Sequence, residues 1–237
     1  MRPRTAWRLS VLAGLVAFAC SFAFGKIPGL VACGTFAGSG QLGPILAFEL
    51  ARTPGDVAAL FGSGACRATL VGAQNAGLWL DALGFIPSYT AFLVLASIAA
   101  SRGRVQRAIV AILLVAGLSD EIEGAIMWRI IGNLPGTPGQ LDALWWAVHI
   151  KFALLALATT AVGLALLGKF RLWPMLFGLI ITVGGAAAIY GFWSLPNPMM
   201  MAGFTYAWFA LLVTAVVASF AAGVFGRRAA PAKTGHS

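Results

Sequence analysis

The sequence predicts an all-α, polytopic integral membrane protein of six transmembrane helices with both termini in the cytoplasm. Three observations predict it. Of the 237 residues, 60% are hydrophobic and only 10% charged, and the mean hydropathy is +0.90, far outside the soluble globular range. Apolar stretches of about 20 residues recur without the two-residue alternation that a membrane barrel needs, so the spanning elements are helices. Lys and Arg gather in alternate connections between those stretches, the pattern of cytoplasmic loops in a bacterial-type inner membrane. The formal charge of +9 is therefore topological. A nucleic-acid partner would need a basic patch on a soluble face, and the pattern supplies none.

Arg2, Arg4 and Arg8 precede the first apolar run, Leu9 to Gly25. Ala17-Phe18-Ala19 also fits the small-x-small pattern of a secretory signal peptide. The run is read as a retained first helix. Residues 26–75 form the one long connection, an external loop that begins with a Gly/Pro-rich apolar part, Ile27 to Leu50. A spanning helix there would turn Arg102, Arg104 and Arg107 outward, against the positive-inside rule, and its five glycines with Pro28 and Pro44 weaken it as a helix. It is read as a re-entrant or interfacial segment. Thr53-Pro54-Gly55-Asp56 pairs a capping residue with Pro at the first helical position, so Val57 to Phe61 begin a short surface helix. Cys33 and Cys66 share this loop, where an oxidising compartment favours a disulfide between them. Cys20 reads as a small buried thiol in the first helix.

The remaining helices are Ala76 to Ala100, Ala108 to Ile131, Ala143 to Gly168, Leu172 to Trp193 and Met200 to Phe225, with Asp142 as the cap of the fourth helix. Residues 1–228 thus make one membrane domain, and 229–237 are a disordered cytoplasmic tail. This arrangement puts eleven Lys/Arg inside (Arg2, Arg4, Arg8, Arg102, Arg104, Arg107, Lys169, Arg171, Arg227, Arg228 and Lys233) and only Lys26, Arg52 and Arg67 outside.

The segment Ala108 to Ile131 carries the candidate chemistry. It holds Asp120, Glu121, Glu123 and Arg129 in its second half. Its eleven Leu, Ile and Val residues contribute roughly −5 kcal/mol to insertion, against about +10 kcal/mol from its four charges, less where Arg129 snorkels to the interface. Such a helix needs partners, protons or a wet cavity. At about 1.5 Å per residue from Arg107, Asp120 lies near the bilayer midplane and Glu123 a few ångströms further out. The same count on neighbouring helices brings Asp81, His149 and Lys151 into the outer half and Tyr89 close to the midplane. Glu123 and Lys151 are the first choice of ion pair, with Asp81 better placed for His149 or Arg129. Asp120 and Glu123 share a helix face, whereas Glu121 lies about 100° round, so the acids look toward two neighbours.

The plain alternative is structural: a helix-helix ion pair for Lys151 and Glu123, snorkelling for Arg129, packing for His149. It leaves the charge balance unexplained. Asp81, Asp120, Glu121 and Glu123 outnumber Lys151 and Arg129 by four to two, so some carboxylates are protonated or a cation sits among them. One membrane histidine does not make a zinc site, no glycine-framed serine faces it, and Asp120-x-x-Glu123 lacks the second acidic cluster of diphosphate chemistry. Met199-Met200-Met201 reads as an apolar helix start rather than a soft-metal site. The leading expectation is a small permease or proton/cation-linked transporter using Asp81, Asp120, Glu121 and Glu123 with Lys151 and Arg129. An intramembrane enzyme on a lipid or prenyl substrate, with Glu123 or Asp120 as general acid/base and His149 assisting, is the alternative. A non-catalytic assembly or lipid-binding protein, using Ile27 to Leu50, is the third. Membrane lipid is the expected partner, with a proton, cation or small molecule as ligand.

Overall fold

The first helix, α1, runs from Pro3 to Phe24, with Pro in the first turn where no amide donor is missed. The structure is a computed structural model that describes residues 2–193 and 197–220. After α1 come the short helices α2 (Pro44–Glu49) and α3 (Pro54–Phe61), then α4 (Gly64–Leu80) and α5 (Ile86–Ala100), joined end to end by a π-helical turn over Asp81–Phe85. Four long helices follow: α6 (Gly103–Ile131), α7 (Pro138–Leu167), α8 (Leu172–Trp193) and α9 (Pro198–Phe220). Among the described residues there is no strand. Also among the described residues, five helical stretches are long and apolar enough to cross a membrane: α1, the continuous α4–α5 rod, α7, α8 and α9. α6, at 29 residues, is longer than α1, α8 and α9 and is set apart by its charges.

Each long helix packs on its neighbour in the chain, and α9 closes the ring on α1. Short connections impose this order, since a two-residue link such as Ser101-Arg102 leaves the next helix nowhere else to go. The Arg4 Nε donates to the Ser219 carbonyl at 3.2 Å, so the start of α1 and the end of α9 lie at the same end of the bundle. α8 is nearly uniformly apolar and relies on small residues for its contacts. A Cβ on Gly178 would lie 2.8 Å from the Gly163 carbonyl oxygen on α7, and one on Gly184 would lie 2.8 Å from that of Gly203 on α9. Only hydrogen fits there, which lets the backbones approach closely.

Several helices start earlier than hydropathy suggests. The second rod begins at Gly64 rather than Ala76, because Arg67, Thr69, Gln74 and Asn75 read as loop yet sit on helical turns that the loop packs against. α6 begins at Gly103 rather than Ala108. α7 begins at Pro138 rather than Ala143, capped by Thr137, whose hydroxyl accepts from the Gln140 amide while the Gln140 side chain accepts from the Thr137 amide. Asp142 is therefore not the cap; it is exposed and faces Arg52 at 3.5 Å. The cap expected at Thr53 is present, with Asp56 completing the reciprocal pair. The end expected at Phe225, the tail 229–237 and the cations Arg227, Arg228 and Lys233 lie outside the described residues.

Ile27 to Leu50 forms no spanning helix. It runs through a single 3₁₀ turn, Ser39–Gln41, into α2. Cys33 and Cys66 are disulfide-bonded, tying this loop to the start of α4. Phe48 of α2 and Phe61 of α3, both buried, meet edge to face at 5.0 Å between ring centroids. The Gln74 amide donates to the Pro44 carbonyl at 3.0 Å and pins α2 on the bundle. The loop is thus a packed cover over one end of the helices.

Candidate functional site

Lys151 is in the fourth turn of α7, buried at 4% exposure. Its ammonium has three donors and meets three carboxylates from two other elements. Glu123 on α6 lies at 2.8 Å, Asp120 one turn earlier at 3.0 Å, and Glu49 at the end of α2 at 3.3 Å. The Lys151 Nζ also sits 4.4 Å from the centroid of the Phe152 ring. The Tyr89 hydroxyl of α5 donates to the other oxygen of Asp120 at 2.7 Å. The Ser119 hydroxyl donates to the Ala147 carbonyl at 2.9 Å, which holds α6 and α7 in register beside the cluster.

The geometry follows from helical spacing. Asp120 and Glu123, three residues apart, project from one face toward α7, as their periodicity requires. The loop supplies Glu49, because the disulfide, the Phe48–Phe61 contact and the Gln74 hydrogen bond hold α2 against the bundle. Burial holds the Glu49 carboxyl above its ordinary range, with the Lys151 ammonium acting in the opposite direction.

A cavity of about 410 Å³ opens beside this cluster. Glu49, Asp81, Asp120 and Lys151 line it, together with an aromatic wall that includes Phe18, Phe85, Tyr89 and Trp208. Tyr89 stacks on Trp208 with ring centroids 5.4 Å apart, and the Trp208 indole donates to the Thr159 hydroxyl at 3.1 Å. Asp81 stands in the π-helical turn, where the Ile86 amide reaches back five residues to the Asp81 carbonyl. Pro87 has no amide to offer, so the wider turn belongs to a stretch where regular α pairing is already broken. Such turns are frequent at functional sites.

Three carboxylates against one ammonium give a formal charge of −2, and Asp81 in the same cavity makes it −3. Bare excess charge away from water costs several kcal/mol per ion. Protons or an added cation relieve it. Among the described residues no group of three or more His, Cys, Asp or Glu is arranged to hold a metal ion. The point at which Glu49, Asp120 and Glu123 converge is filled by the lysine ammonium itself.

Of the residues singled out from sequence, Asp120, Glu123, Lys151 and Tyr89 come together, and Asp81 lines the same cavity. Glu121 is on another face of α6, beside Pro87 and Thr90 of α5 in a shallow groove. Arg129 is exposed in the last turn of α6. His149 donates from Nδ1 to the Trp145 carbonyl at 2.7 Å, stacks on the Trp145 ring and packs against Phe192. Glu49 is the one member that sequence reasoning missed. Its signal was a single acid inside the otherwise apolar run from Ile45 to Ala51. No protein-family model, curated protein or solved structure matches this chain.

Proposed function

We propose that the chain is a small permease or proton/cation-linked transporter, and that the cavity beside Lys151 is its binding site. The observation that carries this reading is the excess of carboxylates, Glu49, Asp81, Asp120 and Glu123, around a single buried ammonium at the edge of an aromatic cavity. Intramembrane acids facing a cavity serve proton and cation pathways, because their charge state can be exchanged against a ligand's. In this scheme Lys151 is a fixed internal counterion. Asp81 receives the proton or cation first, and Asp120, tied to Tyr89 and Lys151, takes the charge next. The aromatic wall favours a cation with apolar substituents. The membrane is a bacterial-type inner membrane with six spans and cytoplasmic termini, a placement supported by the Lys/Arg asymmetry of the loops.

The test is flux in tight proteoliposomes loaded with a pH-sensitive dye and offered sodium, potassium and a panel of organic ammonium ions. Proton movement that depends on one of these cations, and is at least tenfold slower in Asp81→Asn, is the expected result. Silence across a broad solute panel in vesicles of proven tightness overturns the reading. The enzymatic alternative has less support, since His149 is engaged by Trp145 and Phe192 rather than set beside Asp120 or Glu123. Turnover of extracted lipid that is lost in Glu123→Gln would restore it.

A further inference from the structure

At the opposite end from the loop, a second cleft of about 810 Å³ gathers Arg2 and Arg4 of the N-terminal segment, Arg102 before α6 and Lys169 after α7, with Trp7 and Phe170 in its walls. All seven Asp and Glu residues of the chain fall between positions 49 and 142, and none lines this cleft. The nearest along α6, Asp120, is eighteen residues from Arg102, about 27 Å along a helix axis and several times the screening length in physiological salt. Among the described residues the four cations therefore have no carboxylate partner. Arg4 spends its Nε on the Ser219 carbonyl, which leaves the outer guanidinium nitrogens for a ligand. α1 and α6 both begin here without a capping side chain or an acid in the first turn, so their amide ends add to the positive field.

We propose that this cleft binds the phosphodiester headgroup of an anionic phospholipid. Charge complementarity requires an anion. The apolar rim favours one that arrives with acyl chains, because Phe170 is 84% exposed and Leu172, beside it, 77%. Basic pockets between the ends of transmembrane helices recognise lipid headgroups through this chemistry, and arginine pairs with phosphate oxygens through two parallel donors.

The experiment is native mass spectrometry of the detergent-purified full chain titrated with phosphatidylglycerol, with phosphatidylcholine, and with inorganic phosphate. Phosphatidylglycerol should be retained, and retention should fall about tenfold in Arg102→Gln/Lys169→Gln and stay unchanged in Arg129→Gln at the other end. Equal retention of phosphatidylcholine, or undiminished retention in the double variant, overturns the proposal. Displacement of the lipid by inorganic phosphate assigns the cleft to a free anion and overturns it too. Should the double variant fail to fold, Arg2→Gln serves instead, with a twofold to threefold loss expected and no loss contradicting the proposal.

Discussion

Lys151 is the residue on which the cluster depends, because three buried carboxylates share its ammonium. Removing it strands all three. Lys151→Met should therefore lower unfolding stability in detergent by about 3–5 kcal/mol, the cost of breaking a buried pair from one side. Glu123→Gln and Asp120→Asn, compared with the native chain across pH, separate a structural role from a functional one. A loss of similar size means the carboxylates hold the fold. Unchanged or raised stability means the chain keeps them at its own expense for function. Lys169 gives a different pH signature. Burial, helped by the nearby Arg102, lowers its pKa from 10.5 to about 8, so the folded state disfavours its charge. That penalty is full below pH 8 and is relieved as pH rises from about 8 toward 10.5. In lipid-free detergent Lys169→Met should melt higher than the native chain at pH 7. The gap should close across that window, and a gap independent of pH would refute the assignment.

Among the elements, α8 depends most on fit, having no charge and few polar groups to orient it. Its seams with α7 and α9 are built on Gly163, Gly178, Gly184 and Gly203. Gly184→Val places methyl groups against the α9 backbone and should destabilise by about 1–3 kcal/mol, read as a fall in melting temperature, with an exposed-face change such as Leu179→Val as the neutral control. The helix starts teach a related lesson. Thr53-Pro54-Gly55-Asp56 and Thr137-Pro138-Gly139-Gln140 are the same device, a threonine cap, a proline at the first position and a reciprocal side chain three residues on. The first is legible because it stands alone in a polar loop. The second is obscured by the apolar run that follows, where hydropathy draws the eye to Ala143.

At the scale of the whole molecule, the loop and the bundle form one structure. The Cys33–Cys66 bond closes a long loop, and its removal in Cys33→Ser/Cys66→Ser should cost on the order of 3–4 kcal/mol in the loop-entropy model. Because the same loop holds α2 and Glu49 in place beside the cluster, the double variant should also weaken the proposed cation-dependent flux. Stability and flux that both survive would show that α2 is held by its packing alone. The sequence by itself determined the helical membrane class, the helix count to within the charged α6, the pairing of Glu123 with Lys151 and the shared face of Asp120. Each of these depends on composition, on helical period or on depth along an axis, and all three are local quantities. What only the tertiary structure decided was the third carboxylate, the company of His149 and the basic cleft. Those depend on which helices adjoin and on how an irregular loop folds back, and no periodicity in one segment encodes the rotation of another against it.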